Sequence, residues 1–105
     1  MGFASVNAFV CDTKNPCNLD SSNWYYNIYN CDQTPLRWCE HRFQNIEAQC
    51  GHLQLNELPP GCYIIVAIRK DQPKPIRTYP VLFQARCNED VCLKLIPETI
   101  KIKLD

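Results

Sequence analysis

The chain has 105 residues, with eleven basic and eleven acidic side chains that give a formal net charge of zero. This length predicts a single domain, residues 1–105, which is large enough to bury a core without cross-links. Because there is no excess of positive charge and no basic run, the composition argues against nucleic acid as a partner. No apolar run is long enough for membrane insertion.

Eight cysteines predict disulfide bonds in an oxidising compartment, with metal ligation in a reducing compartment as the alternative. The first eleven residues are too short and too polar for a signal peptide. We therefore expect an extracellular or cell-surface protein in a mature form without a leader, and a cytoplasmic location is the alternative. Self-association is favoured, because a net charge of zero provides no repulsion between copies.

Apolar and β-branched residues predict about seven short strands in chain order. Two of them, FASVNAFVC and NWYYNIYNC, flank a polar loop over residues 12–22. GHLQLNEL alternates, whereas the following CYIIVAIRK is apolar on both faces, as in a doubly covered strand. With PVLFQARC, VCLKLIP and the tail ETIKIKLD, the pattern predicts an all-β fold, a two-sheet Greek-key-like sandwich stabilised by disulfides.

Residues 35–49 support two interpretations. Thr34 as an N-cap, Pro35 in the first turn and Gly51 as a stop favour a helix. In the strand interpretation, Cys39, His41 and Phe43 share one face instead. We favour strands, because of the resemblance that follows.

The turn before the long apolar strand contains Pro60 and Gly61. Proline supplies a φ of about −65° and glycine a positive φ, so the pair predicts a type II turn. The run CGHLQLNELPPGCYIIVAI resembles the core signature of prealbumin-like sandwich modules, namely transthyretin-like, carboxypeptidase-regulatory-like and Cna-B-like domains. The shared positions are Gly51, Leu53, Leu55, Leu58, Pro60, Gly61, Tyr63, Ile65 and Ala67. The resemblance implies a spacer, stalk, pilus subunit or accessory binding unit, and rarely a catalyst.

The segment CNEDVC predicts a hairpin with a two-residue loop at Glu89 and Asp90. Cys87 then faces Cys92 in a non-hydrogen-bonded pair, where the Cα atoms lie about 4.5 Å apart. This spacing lies within the range that a disulfide spans. The alternatives are two buried thiols or separate partners on other strands. Cys11 and Cys17 are candidates for a loop closure or for a bridge between chains, and the pairing of the remaining cysteines stays open.

A metal site can be formed from two cysteines and two histidines, Cys39, His41, Cys50 and His52. This donor set suits tetrahedral zinc, although the spacing is not that of a zinc finger. The alternative is that both histidines are satisfied by other contacts or exposed. Zinc is the only cofactor that the sequence raises, and the main prediction is that there is none.

A glycan could stack on Trp24 and Tyr26, which share one face of the second predicted strand. The alternative is that one face of this strand packs in the core and the other contacts another subunit. No nucleophile elbow, phosphate-binding loop or Cys-x-x-Cys motif occurs, so no enzymatic activity is predicted.

The function predicted from these features is a non-catalytic structural module of an exported or surface protein. Such a module would self-associate, as a fibre or appendage subunit locked by disulfides. A glycan-binding sandwich and a small zinc-binding protein are the alternatives.

Overall fold

A computed structural model describes residues 2–10, 24–38, 41–48, 52–70 and 75–98, which form eight strands and no helix. The strands are β1 (Ala4–Val10), β2 (Trp24–Asn30), β3 (Ile46–Ala48), β4 (His52–Leu58), β5 (Gly61–Arg69), β6 (Ile76–Arg77), β7 (Val81–Ala85) and β8 (Asp90–Leu95). The predicted all-β class is confirmed. Cys11, Cys17, Cys39, Cys50 and the predicted tail strand after Glu98 lie outside the described residues.

The strands form two sheets. In the small sheet, the central strand β1 is antiparallel to β4 and parallel to β8. In the large sheet, β5 pairs with β2 on one side and with β6 and then β7 on the other, while β3 extends β2 at the edge. The chain changes sheet between β1 and β2, β3 and β4, β4 and β5, and β7 and β8, so the predicted two-sheet sandwich is confirmed.

Alternating side chains from the facing sides of the two sheets form the core. β1 contributes small residues, such as Ala4 and Ala8, which are fully buried beside the large side chains of β2. The Tyr26 hydroxyl donates a hydrogen bond of 3.3 Å to the Ala8 carbonyl oxygen, which satisfies the phenol inside the core and joins the two sheets.

A β-bulge interrupts the alternation of β4. Ala4 pairs with Leu58 and Val6 pairs with Leu55, so two residues of β4 lie opposite one residue of β1. The bulge therefore turns Leu58 into the core, where it is fully buried. A simple two-residue period would instead place Glu57 on the side of Leu53 and Leu55.

A second irregularity, centred on Thr78, separates β6 from β7 along β5. Thr78 is fully buried, and its hydroxyl accepts a hydrogen bond of 2.9 Å from the Ala67 N–H. The Thr78 N–H in turn donates to the Ala67 carbonyl at 2.9 Å. Beside it, the Tyr79 N–H donates to Ile96 and the Glu98 N–H donates to Arg77, so this segment joins the end of β8 to the large sheet.

The connection between β4 and β5 is not the predicted type II turn. Gly61 is the first residue of β5, and its φ lies outside the left-handed region. The prediction was wrong because β4 and β5 belong to different sheets, so Pro59 and Pro60 carry the chain across the sandwich and not around a hairpin.

Glycine at position 61 leaves room for the ring of Tyr63, which lies over it. A Cβ at Gly61 would lie only 3.1 Å from the Tyr63 hydroxyl oxygen. That hydroxyl donates a hydrogen bond of 2.5 Å to the Pro59 carbonyl, and burial raises the pKa of the Tyr63 phenol above its ordinary value.

Tyr63→Phe is expected to lower the free energy of unfolding by about 1 kcal/mol, because it removes the hydrogen bond to Pro59 and leaves the ring in place. Urea denaturation at neutral pH measures this change. A loss indistinguishable from zero would show that the hydrogen bond does not hold the connection.

The same pair of proteins tests the raised pKa of Tyr63. Because the folded-state pKa is raised, the contribution of the neutral phenol is fully present below the unfolded-state value, near 10.0, and is lost as the pH rises through the folded-state pKa. The stability difference between wild type and Tyr63→Phe should therefore shrink as the pH rises from the unfolded-state pKa to the folded-state pKa. A difference that stays constant or grows as the pH rises above 10.0 would contradict the expected direction.

Candidate interaction surface

The outer face of the large sheet consists of the side chains of β2, β5 and β7 that point away from the core. Alternation along β5 places Tyr63, Ile65 and Ala67 in the core and the residues between them on this face. The strand register arranges the outer face in rows, which are Tyr29–Ile64–Leu82, Asn27–Val66 and Tyr25–Ile68–Arg77. The prediction that this strand is apolar on both faces is therefore confirmed.

Leu82 is the most prominent side chain of the outer face. It lies on β7 opposite Ile64 and is 66% exposed. Beside it a groove of about 430 Å³ is lined by Tyr29, Gln33, Ile64, Val66, Arg77 and Pro80. The floor is apolar, whereas the amide of Gln33 and the guanidinium of Arg77 supply polar groups. Such an apolar surface with polar groups beside it has the character of a contact site.

A disulfide between Cys31 and Cys62 closes one end of the outer face. The β2–β5 register ends with Asn30 opposite Tyr63, so the two cysteines are the next cross-strand pair. Their Cα atoms lie 5.6 Å apart, close to the usual separation in a hydrogen-bonded antiparallel pair. Both residues are exposed. A disulfide of this kind is typical of proteins that fold in an oxidising compartment.

Sequence reasoning missed this pairing although a signal was present. Cys31 ends the predicted strand NWYYNIYNC, and Cys62 begins the predicted strand CYIIVAIRK. If these two strands are neighbours in an antiparallel sheet, the end of one lies beside the start of the other. The missing information was therefore which strands pair.

The loop after Cys31 is held by its own hydrogen bonds. The Asp32 carboxylate accepts one from the Thr34 hydroxyl at 2.5 Å and one from the Thr34 N–H at 3.0 Å. These bonds, the side-chain bond first, lower the pKa of the Asp32 carboxyl group. Gln33, between them, has a φ of 72° and lines the groove. The loop thus positions one wall of the groove next to the disulfide.

The opposite end of the outer face carries a cation that lies on an aromatic ring. The Lys70 ammonium group lies 4.6 Å from the Tyr25 ring centroid and donates a hydrogen bond of 3.1 Å to the Asn45 side-chain oxygen. On the core side of the same end, the Arg69 guanidinium lies 5.6 Å from the Trp24 ring centroid. The apolar centre of the face therefore lies between a disulfide and a basic edge.

The predicted Cys87–Cys92 disulfide is not formed, and both residues are exposed free thiols. The predicted hairpin was wrong because β7 pairs with β5 in the large sheet and β8 pairs with β1 in the small sheet. The intervening turn, in which Asn88 has a φ of 59°, therefore carries the chain from one sheet to the other.

The predicted glycan platform is also wrong in the form proposed. Trp24 is 4% exposed and Tyr26 is fully buried. Both side chains belong to the core face of β2, so neither can stack on a ligand. The alternation was interpreted correctly, but the other face of β2, which carries Tyr25 and Tyr29, is the one on the surface.

The two histidines of the proposed zinc set have aromatic partners. The His41 ring stacks on Trp38 with a centroid distance of 4.8 Å, and the His52 ring stacks on Phe9 at 4.4 Å. His52 begins β4 in the small sheet, whereas His41 pairs with Trp38 in the segment between β2 and β3. Within the described ranges, no three His, Cys, Asp or Glu side chains are grouped so that they could hold a metal ion.

Comparison of the sequence with protein-family models gives no match, and comparison with curated proteins gives none either. The resemblance to prealbumin-like modules therefore stays a prediction. No helix among the described residues is both long enough and apolar enough to cross a membrane. Any function assigned to the chain therefore depends on the outer face, the disulfide and the exposed thiols.

Proposed function

We propose that the protein is a non-catalytic structural module of an exported or surface-exposed protein, and that it self-associates through the outer face of the large sheet. The observation that carries the proposal is the row Tyr29–Ile64–Leu82, in which Tyr29 and Ile64 are half-buried and Leu82 is 66% exposed. Covering such an apolar row removes it from water, which is the usual driving force for association.

Two further features support self-association of a structural kind. The formal net charge is zero, so copies of the chain do not repel one another. Cys87 and Cys92 are exposed free thiols, whereas Cys31 and Cys62, elsewhere in the molecule, form a disulfide. A small-molecule disulfide could accept two electrons and two protons from thiols of two chains, and this would make their contact covalent.

The proposal predicts that Leu82→Glu abolishes or strongly weakens self-association, because it places a charge at the most exposed position of the apolar row. Since Leu82 is exposed, the stability of the monomer should change by less than about 0.5 kcal/mol. Sedimentation velocity in a buffer without reductant, across a wide range of protein concentration, measures the loss of self-association.

Gln54→Glu provides a matched control, because it introduces the same charge at an exposed position of β4 in the small sheet. This variant is expected to associate as the wild type does. A wild-type protein that stays monomeric at the highest concentration, or equal association of both variants, would refute the proposed contact.

A further inference from the structure

The large sheet ends at β7, whose second edge has no strand beside it within the described part of the chain. The direction of the backbone groups of β7 follows from the hydrogen bonds of β2. The N–H groups of Ile28 and Asn30 donate to Phe43 and Thr34, on the side away from β5. In an antiparallel pair, hydrogen-bonded and non-hydrogen-bonded positions alternate. Ile28 and Asn30 therefore occupy the non-hydrogen-bonded positions opposite Ile65 and Tyr63.

The odd-numbered residues of β5 consequently direct their N–H and C=O groups toward β6 and β7. The two hydrogen bonds between Ala67 and Thr78 agree with this direction. Tyr63 and Ile65 thus bond to Phe83 and Val81, their partners in β7. By the same alternation, the backbone N–H and C=O groups of Leu82 and Gln84 face the open edge.

The other edges of the sandwich are protected by features that β7 lacks. β4 carries a bulge, β3 has only three residues, and β8 presents charged side chains at Asp90 and Lys94. β7, with the sequence VLFQA, has no charge, no proline and no bulge within its five residues. An apolar, regular and unprotected edge is the kind that accepts another strand.

We propose that β7 pairs antiparallel with β7 of a second copy of the chain, around a two-fold axis at Phe83. This inference rests on the proposed self-association and adds an edge-to-edge contact to the contact made by the outer faces. The axis places Leu82 of each copy opposite Gln84 of the other copy. The backbone N–H and C=O groups of these residues then form two hydrogen-bonded residue pairs across the contact. The two large sheets become one continuous sheet, and the two outer faces form one apolar surface.

Gln84→Pro tests the pairing, because proline removes the N–H that faces the open edge but not a bond to β5. Two hydrogen bonds are lost per dimer, so the dissociation constant is expected to rise about 30-fold. Gln84→Thr is the control, since it changes the side chain and keeps the N–H; its dissociation constant should stay within a few-fold of the wild type. Sedimentation equilibrium provides both values.

Amide hydrogen exchange of the wild-type protein gives a second measurement that does not depend on the folding of any variant. At low concentration the amides of Leu82 and Gln84 should exchange rapidly, whereas those of Val81 and Phe83 are protected; association should protect all four. If the wild type associates but the Leu82 and Gln84 amides stay unprotected, the edge pairing is wrong and the proposed function stands. If the wild type never associates, both fail.

Discussion

Replacing Cys31 and Cys62 together by serine is expected to lower the free energy of unfolding by about 3–4 kcal/mol. The disulfide joins residues 31 positions apart, and a cross-link over a loop of this length restricts the unfolded chain by an amount of this order. Both cysteines are exposed, so serine at these positions buries no new polar group. Chemical denaturation of the purified double variant measures the loss.

Cys87→Ser combined with Cys92→Ser is the matched control for that experiment. These residues are also exposed, but they are free thiols, so the control should change stability by less than about 0.5 kcal/mol. Substitution removes the Cys31–Cys62 bridge alone, whereas a reductant would act on any other disulfide of the chain as well. Equal stability of the two double variants would mean that Cys31 and Cys62 do not cross-link β2 to β5.

Thr78→Val is expected to lower the free energy of unfolding by about 2 kcal/mol, although the two side chains have nearly the same shape. The Thr78 hydroxyl is the acceptor for the Ala67 N–H at 2.9 Å, at a position with no exposure to water. Valine would leave that donor buried without a partner, which costs about 1–3 kcal/mol. Thermal or urea denaturation measures the change.

Thr78→Ser keeps the hydroxyl and removes only a methyl group, so it should cost about 1 kcal/mol and less than the valine variant. The order of the two variants is the informative result, because a purely packing role for Thr78 would make serine the worse substitution. Hydrogen exchange at Ala67 should also accelerate in Thr78→Val and not in Thr78→Ser.

The strands were largely predictable from the sequence, because burial on one face leaves a period of two and burial on both faces leaves a continuous apolar run. β1, β2, β4 and β7 fall within predicted segments, and β5 and β8 begin one residue before theirs. β3 lies within residues 35–49, where strands were favoured over a helix, whereas β6, with two residues, was missed. Strands this short carry too few residues for a period, and they exist because a neighbouring long strand provides hydrogen-bond partners.

The errors at the candidate sites have a common physical origin. Alternation shows that Trp24 and Tyr26 share a face, but it does not show whether that face points to the other sheet or to water. Likewise, a short polar loop between Cys87 and Cys92 is compatible with a hairpin or with a crossing between sheets. Both questions depend on the position of strands that are distant in sequence.

The sequence by itself determined the all-β class, the doubly apolar strand over residues 63–68 and the abundance of cysteine. The tertiary structure alone decided that Cys31 meets Cys62, that Cys87 and Cys92 stay apart and that no strand among the described residues pairs with the second edge of β7. The reason is that side-chain period is a local property of the backbone, whereas strand order depends on long-range pairing. Disulfides, sheet edges and exposed faces all follow from strand order.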